Sequence, residues 1–73
     1  MPTRAFPASL TGSAVLSARE HQIALLAARG LRNGDIAREL GLAEGTVKFH
    51  MHKILRKLGM KRRSELILAQ HSR

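Results

Sequence analysis

Between Lys48 and Arg63 the chain carries seven cationic side chains and no acidic one. On a helical wheel at about 100° per residue, Lys48, Phe49, His52, Lys53 and Arg56 share one arc. Val47, Met51, Ile54, Leu55 and Leu58 share the opposite arc. Thr46, His50 and Lys57 lie at the border of the cationic arc, and Lys61, Arg62 and Arg63 follow in the next loop. The chemistry this set can do is recognition of a polyanion. Lys can reach the O6 and N7 of guanine in a major groove, and an aromatic ring can touch a thymine methyl. Thr46 and His50 can donate to phosphate oxygens, and the loop cations add affinity without reading sequence. A charged helix face is ordinarily just a solvated face. Here two features argue for more: the run lacks any acid, and an aromatic ring sits where a solvating face would use a polar residue. For His50, a place inside the domain, bonded within it, is an equal alternative.

The inventory argues against catalysis. Five acids are present in all, and no acid pair and no nucleophile with a base stands at motif spacing. The four histidines are dispersed; His50 and His52, two apart on a helix, point to different faces and cannot easily share a metal. No cofactor, metal or catalytic residue is expected. The absence of cysteine removes disulfides and thiolate zinc sites and fits a reducing cytoplasm. With 73 residues, a net charge of +8 and a pI near 11.7, the chain has room for one domain with a thin core and a bias toward polyanions. Nucleic acid leads, and an acidic membrane surface is the rival. A membrane-surface helix needs a broad apolar face open to lipid, whereas the apolar stripe here is needed for the core. The longest apolar run, Ile23 to Ala28, is too short to span a bilayer, and the first residues lack the apolar stretch of a signal peptide.

Four helices must position these groups. Residues 1–15, with two prolines and no hydrophobic period, read as a flexible arm or linker, and 16–73 as the domain. Ser17 and Glu20 form a capping-box pattern opening a helix over about 17–28, which Gly30 stops. A short helix over 33–40 carries Ile36, Ala37 and Leu40 inward and ends at Gly41. Asn33 or Asp35 can satisfy its free amides. A third helix runs over 44–58 to Gly59, and a fourth over 63–70. No strand is expected, so the fold class is all-α. Ala37 at a close helix crossing, Gly41 in a turn of positive φ and Val47 as an apolar anchor stand at helix-turn-helix spacing.

Leu16-Ser17-Ala18-Arg19-Glu20, Ile36-Ala37-Arg38-Glu39-Leu40-Gly41-Leu42, Glu44-Gly45-Thr46-Val47-Lys48-Phe49-His50 and Ile54-Leu55-Arg56-Lys57-Leu58-Gly59 together resemble the LuxR/FixJ/NarL-type (GerE-like) domain of bacterial transcription regulators. The resemblance covers about Val15 to Gln70. It implies a four-helix domain whose third helix reads the major groove of double-stranded DNA. Lys48, Phe49 and His52 would face bases, and Thr46, His50 and nearby cations phosphate. It also implies a dimer through the fourth helix, a regulator that can meet RNA polymerase, and a place behind a receiver or ligand-sensing domain, neither of which lies within these 73 residues. The last helix supports the dimer independently. Leu66-Ile67-Leu68-Ala69 points apolar groups nearly all round, and the uncovered side, with Leu66, Ala69 and Gln70, would meet a second copy. Two departures stand out. Ala43 and Arg32 occupy positions where such sequences carry small polar caps, and Asn33 is expected to take over as cap of the second helix. The DNA-reading region of a sigma factor also contains an Ala-Gly-Val helix-turn-helix, but His50 and the tail from Leu58 to Ser64 favour the LuxR type. A protein-interaction module of the same fold would not need Lys48, Phe49, His52 and Lys53 on its free face.

Overall fold

A computed structural model describes residues 16–71. The arm expected over residues 1–15 lies outside the described residues. The described part is all-α: α1 (Ala18–Ala28), α2 (Asn33–Leu40), α3 (Glu44–Lys57) and α4 (Ser64–His71), with no strand among the described residues.

Local chemistry accounts for the helix ends. At α1 the capping box forms as the sequence anticipates. The Glu20 amide donates to Ser17 Oγ at 3.1 Å, and the Ser17 amide donates to Glu20 Oε1 at 2.9 Å. Gly41 ends α2 at φ +69 and Gly59 ends α3 at φ +69, a region costly for side chains with a Cβ. Beyond Gly59 the Met60 amide closes back on the Leu55 carbonyl at 2.8 Å, fixing where the chain leaves α3.

α2 starts where the sequence places it, but of the two residues offered there Asp35, not Asn33, makes the local bond. Asn33 is not its cap; Arg32 holds the N-cap position with extended φ and ψ and gives no side-chain cap. Asp35 reaches back instead, its Oδ2 accepting from the Arg32 amide at 3.2 Å. Asn33 Oδ1 instead accepts from Arg63 at 2.5 Å, a use that local spacing could not foretell. At α3, Ala43 offers no side-chain bond, as its methyl group requires. Glu65 organises the entry to α4, its Oε2 accepting from the amides of Lys61 and Arg62 at 2.9 and 3.1 Å.

The core gathers Ile23, Ala24, Ala27 and Ala28 of α1, Ile36 and Ala37 of α2, Val47, Met51 and Ile54 of α3, and Leu66 of α4, with Leu16 at its edge. α1 is the hub, packing on all three other helices, and α2 packs on α3. Four of the buried residues are alanines, and each buried Ile or Val contributes roughly 1.5–3 kcal/mol. Ala37 is 7% exposed and Val47 fully buried, so the helix-turn-helix is built on the residues whose spacing announced it.

One expectation about α4 is corrected. Leu66 does not belong to an exposed strip: it is fully buried against the core. A helix over consecutive apolar residues must turn one of them inward, and α4 turns Leu66 toward α1. Leu68, two positions on and nearly opposite, is the exposed one at 66%, while Ile67, Ala69 and Gln70 are half-buried.

Candidate nucleic-acid interface

With Val47, Met51 and Ile54 sunk in the core, the other face of α3 is turned outward. Lys48, Phe49, His52, Lys53 and Arg56 are all exposed, as is Thr46 at the start of the helix. Phe49 is 62% exposed, an unusual position for a large apolar ring. Lys53 places its ammonium over the Phe49 ring, 5.3 Å from the centroid, and the His50 ring meets Phe49 edge-on at 6.0 Å between centroids. Gly45, Lys48, Phe49, His52, Lys53 and Arg56 line a shallow open depression along the helix. His50 is half-buried, and its Nδ1 is buried with no hydrogen-bond partner among the described residues.

Not every cation named from the sequence is free. Lys57 turns back to α1, where its Nζ donates to Glu20 Oε1 at 2.8 Å. Glu20 is itself buried. The Lys57 hydrogen bond and the Ser17 amide hold its carboxyl below the usual carboxylate range, against an opposing push from burial. Arg63 is half-buried: its guanidinium donates to Asn33 Oδ1 and to the Leu31 carbonyl, at 2.5 and 2.6 Å, tying the approach to α4 onto the α1–α2 loop. Burial lowers its pKa from the ordinary arginine value. Lys61 and Arg62 remain exposed. Sequence reasoning missed Glu20 as the partner of Lys57, because the two lie 37 positions apart and no local pattern links them.

Residues 14–69 match the family described as bacterial regulatory proteins, luxR family. The chain belongs to the luxR family. The luxR relatives it resembles include the two-component response regulator PprB of Pseudomonas aeruginosa, 44% identical over 54 residues, which cover 74% of this chain and 20% of that protein. The nitrate/nitrite response regulator protein NarL of Escherichia coli is 43% identical over 56 residues, 77% of this chain and 26% of that protein. The CsgBAC operon transcriptional regulatory protein of E. coli is 37% identical over 57 residues, 78% of this chain and 26% of that protein. The chain thus spans about a fifth to a quarter of the length of these curated relatives. No solved structure matches it.

The luxR family is one of DNA-binding helix-turn-helix transcription regulators, not of enzymes. In this luxR-family domain the outward face of α3 and the exposed loop cations Lys61 and Arg62 are available to a partner. Lys57 and Arg63 are engaged within the fold. Among the described residues no helix is long and apolar enough to cross a membrane.

Proposed function

We propose that this domain binds double-stranded DNA sequence-specifically, with α3 lying in the major groove, as part of a bacterial transcription regulator acting in the cytoplasm. One observation carries the reading: α3 exposes four basic side chains or histidines and one aromatic ring along a single face, while its opposite face anchors the core. A groove about 12 Å wide admits such a helix, and its N-terminal half meets base edges. Lys48, Phe49 and His52 then face bases. Thr46, Arg56, Lys61 and Arg62 face phosphates, and the His50 ring borders them. Lys57 and Arg63 act instead through the fold, holding α3 and the approach to α4 in place.

Two copies would bind a pseudo-palindrome with half-sites about 10 bp apart, paired through α4. Exposed Leu68 supports a contact on that helix, with half-buried Ala69 and Gln70 beside it. An NMR titration with duplex DNA at two salt concentrations tests the reading. Amide shifts should concentrate in residues 46–56 and 61–62, and affinity should fall steeply as salt rises. Shifts confined to other faces, or none, would overturn it.

A further inference from the structure

We propose that Phe49, with the Lys53 ammonium over its ring, reads the C5-methyl group of a pyrimidine at one position of each half-site. The inference rests on the DNA-binding reading above and assigns the chemistry of its central contact. Three observations converge on it. A ring that is 62% exposed at the centre of a cationic face has no reason to be there for solubility or for the core. The ring has neighbours on its own helix: the Lys53 ammonium lies 5.3 Å from its centroid, and the His50 ring abuts it edge-on. The flank toward the start of α3 is also open. A helical side chain leans over the turn preceding it, and four residues before Phe49 stands Gly45, where even an added Cβ would meet nothing within 4 Å.

The result is an apolar surface beside a bare stretch of backbone, rimmed by Lys48, His52 and Arg56. A nucleic acid drawn in by that rim would present one apolar group to the ring in the major groove, the C5-methyl of a pyrimidine. Thymine carries it; cytosine carries it only when methylated. Lys53 is therefore a positioning residue that acts through Phe49 rather than a separate phosphate contact.

The test uses the whole chain and a duplex enriched by it from a random library. That duplex is remade with deoxyuridine for thymidine and, separately, with 5-methylcytosine for cytosine. Loss of the thymine methyl under the ring should weaken binding about fourfold, the worth of one methyl group withdrawn from water. If the ring lies over cytosine instead, the 5-methylcytosine duplex should bind more tightly by a similar factor. Phe49→Ala should erase the difference between methylated and unmethylated duplexes, and Phe49→Leu should keep part of it. Lys53→Gln should shrink that difference, whereas Lys53→Arg, which restores a cation over the ring, should keep it. Binding that ignores C5-methyl groups overturns the inference and leaves the DNA-binding reading standing. So does a Lys53→Gln loss equal on thymine and uracil duplexes. Failure to bind any duplex overturns both.

Discussion

Lys48 and Arg63 show how two basic side chains of one acid-free run come to different work. Lys48 is exposed on the outward arc of α3, one turn from its start. Lys48→Ala should lower affinity for the preferred site by about 1–3 kcal/mol and relax base preference at one position, read by competition with single-base variants of the site. Equal losses on preferred and random duplexes would reassign it to the backbone. Arg63 spends its donors on Asn33 and the Leu31 carbonyl. Arg63→Ala should cost about 1–2 kcal/mol in denaturant unfolding by orphaning these acceptors. It should leave the salt dependence of DNA binding unchanged, whereas Lys61→Ala or Arg62→Ala should flatten the slope by about 1 each. The outward arc was legible because helical period alone decides which residues share a face. The engagement of Arg63 and Lys57 was not, because each meets a partner at least 30 positions away, and only tertiary packing brings them together.

For the elements, the chain announces both ends of its helices, but the stops name the residue responsible more directly than the starts do. A glycine at positive φ has few substitutes, so Gly41 and Gly59 mark the ends of α2 and α3 unambiguously. A helix start can be satisfied in several ways. At α2 Asp35 reaches back to the Arg32 amide, and no side chain takes the capping place that Asn33 was expected to fill. Ala43 is legible as a missing cap and is one: it sits in extended conformation at the N-cap of α3 with no side-chain bond. That backbone suits a capping residue, so Ala43→Ser should stabilise the domain by about 1 kcal/mol and raise its melting temperature. An unchanged melting temperature would mean that the first amides of α3 are already satisfied by water at no net cost.

For the whole molecule, α1 is the hub that fixes how α3 and the terminal helix are presented. The Glu20–Lys57 pair joins the capping box of α1 to the last turn of α3. Because the Glu20 carboxyl is held below its ordinary value of 4.5, chiefly by the Lys57 hydrogen bond, its contribution is complete above that pH and is lost as pH falls beneath it. Acid unfolding should therefore be steeper in the parent chain than in Glu20→Gln; parallel acid transitions would show that the pair adds nothing. On the far side of α1, α4 buries Leu66 and presents Leu68. An apolar run in sequence shows that some residue must face out, but only the packing of α4 on α1 decides which. This separates two substitutions that composition would treat alike. Leu66→Ala should cost about 2–5 kcal/mol of stability, since it opens a cavity in a small core. Leu68→Asp should leave stability within about 0.5 kcal/mol, because the site is already in water. If α4 is where two copies meet, that same exposed position is where a charge does most harm. Leu68→Asp should therefore hold a monomer in sedimentation and reduce a symmetric footprint to a single weak half-site. A variant that still protects both half-sites cooperatively would move the contact between copies off this helix.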